Sequence, residues 1–167
     1  MKLVHAPDFS IRRVVESSSE TVPISEVIIA GAATGKLLEG AVFEAALRWN
    51  DYVLIFLTND VPFEDSLNIY LLDRHLNVVD YALMYAAYST GIFSRLDLSE
   101  ANTARFHFLG ESTWTLRLFS RKQFFLPILG SPLGVHRPFT FFHCFQISTQ
   151  PCAKQVRTEN QPASASS

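Results

Sequence analysis

From residue 51 to residue 119 the chain repeats one pattern: a short apolar run, then a polar cluster that favours a turn. The runs occupy residues 51–60, 66–73, 77–85, 104–109 and 113–119, and each is rich in β-branched and aromatic side chains. Such runs at close spacing predict antiparallel strands, because branched and ring side chains pack well on a pleated surface while Asn, Asp, Gly and Ser close the hairpins. The fold class expected is all-β: a single antiparallel β-sandwich or distorted β-barrel of seven to ten strands.

Outside that block the pattern is less regular. Residues 22–30 form a β-rich run leading into residues 31–35, where Gly31 and Gly35 mark a turn. Residues 36–49 admit two readings. Leu37, Leu38, Ala41, Val42, Ala45, Ala46 and Trp49 share a helical face that Thr34 could cap. Gly40 would cost such a helix about 1 kcal/mol, and Ala41, Phe43, Ala45 and Leu47 alternate as in a strand, which is the reading favoured here. A hairpin turn is expected at residues 73–77 and a last strand at 139–147, with Phe139, Phe141, Phe145 and Ile147 on its buried face. Residues 9–15 can add an edge strand. The organisation expected is a leader or edge segment at 1–21, an antiparallel β domain at 22–150, and a disordered tail at 151–167. That tail is Ser- and Ala-rich, with too few apolar residues to offset the entropy of ordering.

Composition sharpens the picture in two places. With 167 residues, 48% of them hydrophobic, the chain is long enough for one well-buried core. That core is specified by rings, with 14 Phe against 2 Met. The rings either fill a solid interior, the favoured reading, or line an apolar cavity. Charge is unevenly spread. Residues 1–111 carry 8 Lys/Arg and 15 Asp/Glu, a balance of −7, whereas residues 112–167 carry 6 Lys/Arg and one carboxylate, Glu159, a balance of +5. Either two faces of opposite sign meet different partners, or late strands pair beside early ones and the charges interleave; the second is favoured. There is no dense basic block of the kind nucleic acid requires. Two cysteines, Cys144 in an apolar run and Cys152 in the polar tail, fit a reduced protein. No apolar stretch has the length of a signal peptide or a membrane span, and the location expected is cytoplasmic.

Candidate chemistry is sparse. Residues 31–36 resemble a phosphate loop only loosely: three residues rather than four precede Gly35-Lys36, and Leu37 replaces the metal-binding hydroxyl. Asp60, Glu64 and Asp65 gather carboxylates in one loop, without the spacing of a calcium site. His143 and Cys144 are adjacent, so in a strand they face opposite ways and the imidazole is poorly placed to activate the thiol. No paired ligand spacing suggests zinc. His136 and Arg137, at the end of a Pro- and Gly-rich segment, either offer donors to an anion or carboxylate, or Arg137 pairs with an acidic strand neighbour. No cofactor and no metal is expected.

These observations point to a non-catalytic protein-binding domain. Its recognising surface would be an acidic sheet face built from Asp51, Asp60, Glu64, Asp65, Asp73 and Asp80, drawing in a basic protein. The alternatives are a barrel holding a small apolar ligand, or a hydrolase-type enzyme using His136 and Arg137 with His107. Open strand edges also leave room for a homodimer, while neither nucleic acid nor membrane is an expected partner.

Overall fold

A strand that is apolar at every position needs cover on both faces, and this chain supplies it with three sheets. The structure, a computed structural model, describes residues 3–18, 21–61, 66–86, 91–110, 112–125 and 131–150. Its strands are Val4–His5 (β1), Phe9–Val15 (β2), Ile24–Ile29 (β3), Ala32–Glu39 (β4), Val42–Trp49 (β5), Tyr52–Thr58 (β6) and Leu67–Leu72 (β7). They continue with Val78–Met84 (β8), Ser94–Asp97 (β9), Thr103–His107 (β10), Thr113–Phe124 (β11), Val135–His136 (β12) and Phe142–Gln150 (β13). They form a six-stranded sheet in the order β1-β5-β6-β7-β8-β12, a four-stranded sheet β13-β11-β10-β9, and a three-stranded sheet β2-β3-β4. All pairings are antiparallel. The all-β expectation holds in its sandwich form: no sheet closes into a barrel. No helix of the described residues is long and apolar enough to cross a membrane.

The six-stranded sheet lies between the other two. Along β6, Leu54 and Phe56 enter a core shared with Phe106, Trp114, Leu116 and Phe145 of the four-stranded sheet. Val53, Ile55 and Leu57 enter a second core with Phe9, Val27 and Leu38 of the three-stranded sheet. The next strand divides the same way, Ile69 and Leu71 to one side and Tyr70 and Leu72 to the other. Double burial is why residues 53–57 of β6 and 69–72 of β7 read as continuous apolar runs rather than as alternating ones. Phe56 is fully buried, its ring 5.5 Å from Phe106 in an edge-on arrangement and 5.2 Å from Phe93. Aromatic rings thus pack directly on one another between these two sheets.

The ambiguous stretch at 36–49 is strand, but it belongs to two sheets. Its first part continues β4, and its remainder is β5 in the central layer. The chain changes sheet at Gly40, whose φ of 140° lies in the left-handed half of backbone space. Its N–H donates to the Pro23 carbonyl at 2.9 Å, and its carbonyl accepts from the buried Ser25 hydroxyl at 2.6 Å. The turn expected at 31–35 is tighter than the glycines suggested. Ala30 and Gly31 both have positive φ, the combination a two-residue hairpin turn needs, and Ala32 already pairs with Ile29. Residues 9–15 form the expected edge strand, while Leu3 and Phe9 are buried in the two cores.

At 73–77 the hairpin turn is held by one carboxylate. Asp73 Oδ1 accepts from the backbone N–H groups of His75 (2.8 Å) and Asn77 (2.9 Å), and Oδ2 accepts from the Asn77 side-chain amide at 3.0 Å. These donors hold the Asp73 carboxyl below its usual range, the Asn77 side chain contributing most.

Late strands pair beside early ones, as expected: β11 lies against β10 in the four-stranded sheet and β12 against β8 in the six-stranded one. The late strands β11 and β13 lie side by side in the four-stranded sheet. Residues 112–150 carry Arg117, Arg121, Lys122 and Arg137 and no carboxylate.

Two outcomes follow from this geometry. A Cβ at position 40 would lie 2.5 Å from Leu57 Cβ, so Gly40→Ala should destabilise the fold by about 2–3 kcal/mol in urea unfolding. Because the Asp73 carboxyl is depressed in the folded chain, its stabilisation is complete above the ordinary carboxylate range and is lost as pH falls through the folded value. Thermal unfolding followed from pH 6 down to about pH 3 should therefore show a smaller acid-dependent fall in Asp73→Asn than in the native sequence.

Candidate functional site

The described residues bring charged side chains together below the surface at one place, the junction of β8, β12 and β13. Asp80 on β8 has a side chain 4% exposed, and Arg137, directly after β12, one 10% exposed; Arg137 Nη2 donates to Asp80 Oδ1 at 3.1 Å. The same oxygen accepts from the Tyr81 N–H at 2.9 Å and from His143 Nδ1 at 3.1 Å. Oδ2 accepts from the N–H groups of Cys144 (2.6 Å) and Phe145 (3.2 Å) on β13. Arg137 returns the pattern, donating from Nε to the Tyr81 carbonyl (3.3 Å) and from Nη1 to the Phe145 carbonyl (2.7 Å), with its guanidinium 4.2 Å from the centre of the Phe145 ring. The outward backbone of Tyr81 and that of Phe145 are thus each met by the carboxylate on N–H and by the guanidinium on C=O. Burial pushes the Arg137 pKa down, and Asp80 opposes that shift.

Of the two readings of Arg137, the structure places the acidic strand neighbour against it: its charge is turned inward onto Asp80. His136 is exposed and lines an open pocket of about 240 Å³ together with Arg137, Thr140, His143 and Gln146. Within it, Thr140 Oγ1 lies 3.5 Å from His143 Nε2, so hydroxyl, imidazole and Asp80 carboxylate follow one another in the order of a nucleophile relay. Asp80, however, is already occupied by four further donors that belong to the fold, and the outer contact is at the limit of a hydrogen bond. Burial raises the pKa of the adjacent Cys144 thiol, and Asp80 adds to the rise, which is the reverse of what activates a sulfur nucleophile. His107 faces Thr113 across β10 and β11, with Nε2 3.2 Å from Oγ1. Among the described residues, no three His, Cys, Asp or Glu side chains gather as a metal would require.

The carboxylates read as one acidic face are not brought together. Asp51 lies in the β5–β6 turn and Asp73 in the β7–β8 turn, while Asp60 follows the opposite end of β6. Asp73 is engaged by its own turn, Asp80 is buried, and Glu64 and Asp65 lie outside the described residues. Both faces of the sheet that carries these loops are covered by the other two sheets.

A surface feature that sequence reasoning placed inside the protein lies beside the buried pair. Phe139 and Phe141 were expected on the buried side of the last strand. They are instead 77% and 46% exposed, alongside Phe142 at 57% and Phe124 at 60%. The four rings contact one another: Phe124 is stacked on Phe141 at 6.0 Å and 6°, and edge-on contacts join Phe124 to Phe142 at 5.8 Å and Phe139 to Phe141 at 5.7 Å. Cross-strand pairing of Phe124 with Phe142, and a 2.9 Å bond from the Phe125 N–H to the Phe141 carbonyl, fix the backbone beneath them. A clue was present in the sequence: adjacent phenylalanines at 124–125 and 141–142 cannot both enter one core from a strand.

Next to this platform the central sheet has an open edge. β12 covers β8 only at Leu83 and Met84. Past Tyr81, Val78 and Val79 line an open groove of about 340 Å³ whose other wall includes Lys122, Pro138, Phe141 and Phe142.

The buried pair is testable by a double-mutant cycle. Asp80→Ala or Arg137→Met alone leaves a buried charge unpaired and should cost about 3–5 kcal/mol in urea unfolding. The double variant should cost clearly less than the sum of the two.

No protein-family model, no curated protein and no solved structure matches the chain.

Proposed function

We propose that this chain is a non-catalytic protein-binding domain that docks its partner on the exposed phenylalanine platform. The observation that carries the reading is the cluster of four mutually packed rings, 46–77% exposed and braced by paired backbone. Scattered apolar residues on a surface are ordinary, whereas a contiguous aromatic patch marks an interaction site. Rings held against one another lose little freedom on binding, which favours their use as anchors.

The partner's charge follows from the setting. Arg121 and Lys122 are exposed on the strand that carries Phe124, and residues 112–150 bring no carboxylate. This favours an acidic partner rather than the basic one suggested by the carboxylate count. It also disfavours pairing of two copies through this face, since their cationic rims would meet. A reducing, cytoplasmic setting goes with the reading, Cys144 being a buried free thiol.

Affinity purification from the native host tests the proposal. The native sequence should retain a stoichiometric protein that the double variant Phe139→Ser/Phe141→Ser loses. Stability in urea should change by no more than about 0.5 kcal/mol, as for other surface substitutions. Retention of the same proteins by both forms would reject the platform as the docking surface.

A further inference from the structure

Resting on that reading, we infer that the partner enters as an extended acidic segment that adds a strand to the free edge of β8, in the groove between Val78–Val79 and the phenylalanine platform. Three observations converge there. First, the groove runs beside a strand whose outer edge is only partly used: β12 pairs with Leu83 and Met84, and the Asp80–Arg137 pair occupies the outward N–H and C=O of Tyr81. Among the described residues no strand pairs with that edge beyond Tyr81. A peptide laid along it would extend the six-stranded sheet by main-chain hydrogen bonds, the interaction that gives strand addition its affinity.

Second, the walls suit a chain whose side chains alternate. Val78 is exposed at the strand edge, and Phe141, Phe142 and Pro138 stand opposite. In an extended segment every second residue points the same way, so one set of side chains meets these rings while the other faces out. Third, among the described residues the only cation in the groove wall is Lys122, with Arg121 beside it in sequence; the one carboxylate there, Asp80, is already neutralised by Arg137. Acidic residues at the outward positions are therefore the complementary choice.

The probe is a labelled peptide of alternating Val and Glu, titrated by fluorescence anisotropy against the full chain. Three comparisons accompany it: the Val and Lys counterpart, the Val and Glu peptide with alternate backbone nitrogens methylated, and Lys122→Glu protein. Saturable binding is expected, weakened about tenfold or more by each of these changes, since tenfold corresponds to the loss of one charge pair or a main-chain bond or two. Equal binding of the methylated peptide would overturn strand addition, and equal binding of the Lys peptide would overturn the acidic preference. Absence of binding, with a co-purified protein still lost in Phe139→Ser/Phe141→Ser, would reject this inference and leave the platform reading standing. Vesicles of phosphatidylcholine and phosphatidylserine form a last arm; binding to them in place of the peptide, abolished by the same Phe substitutions, would overturn both.

Discussion

Asp80 and Arg137 do the work of a missing strand. Where β8 of the central sheet meets β13 of the four-stranded sheet, no backbone ladder joins them, yet both edges sit where water has little access. The carboxylate takes the N–H of Tyr81 and of Phe145, and the guanidinium takes the C=O of each. Two side chains thereby satisfy four backbone groups that would each cost free energy if buried unpaired. The charges need each other for the same reason, since either one alone would be buried without compensation. His143 and the Cys144 N–H complete the shell, and among the described residues no buried side-chain nitrogen or oxygen lacks a partner.

This junction explains how charge is arranged elsewhere. The early part of the chain carries the excess of carboxylates and supplies every strand of the central layer except β12, while the late strands β11 and β13 join the early β9 and β10 in the four-stranded sheet. Asp80 and Arg137 are where the two sets meet in the interior. What remains of each set is left on different parts of the surface: acidic turns at both ends of the central sheet, and a cationic stretch along β11. A net charge near zero hides this, because it sums an early excess of carboxylates and a late excess of cations.

Most of the fold was legible from the period of the apolar residues, and the reasons for the rest are physical. Strands 6, 7, 8, 10 and 11 stand out because branched and aromatic side chains fill them between turn residues. The three-layer arrangement is less visible, although the unbroken run at 53–57 carries its signature: a strand covered on one face would alternate. The sheet change at Gly40 is a matter of backbone conformation and of the space beside Leu57, neither of which periodicity reports. Short strands such as β9 and β12 are set by their neighbours and leave almost no local pattern. Arg137 was legible as a residue with two roles, but choosing between them required the partner, 57 residues away in the chain. The phenylalanines misled because hydrophobicity alone assigns them to a core. At 139–142 the chain has left the cover of the other sheets, and burial depends on what lies opposite.

The exposed rings and the buried ion pair are parts of one construction. Phe141 and Phe142 immediately precede His143, Cys144 and Phe145, whose ring or backbone groups are bonded to Asp80 and Arg137. A surface of aromatic side chains on a loose segment would collapse onto the nearest apolar neighbour or sample many arrangements, and binding would then have to order it. Here the strand is fixed from behind by charge-assisted hydrogen bonds and from the side by pairing with β11, so the rings are held outward. The same anchoring holds Tyr81 and therefore sets where the free edge of β8 begins. Stability and recognition thus draw on one buried contact: the pair that closes the junction between two sheets also decides which backbone remains open beside the platform.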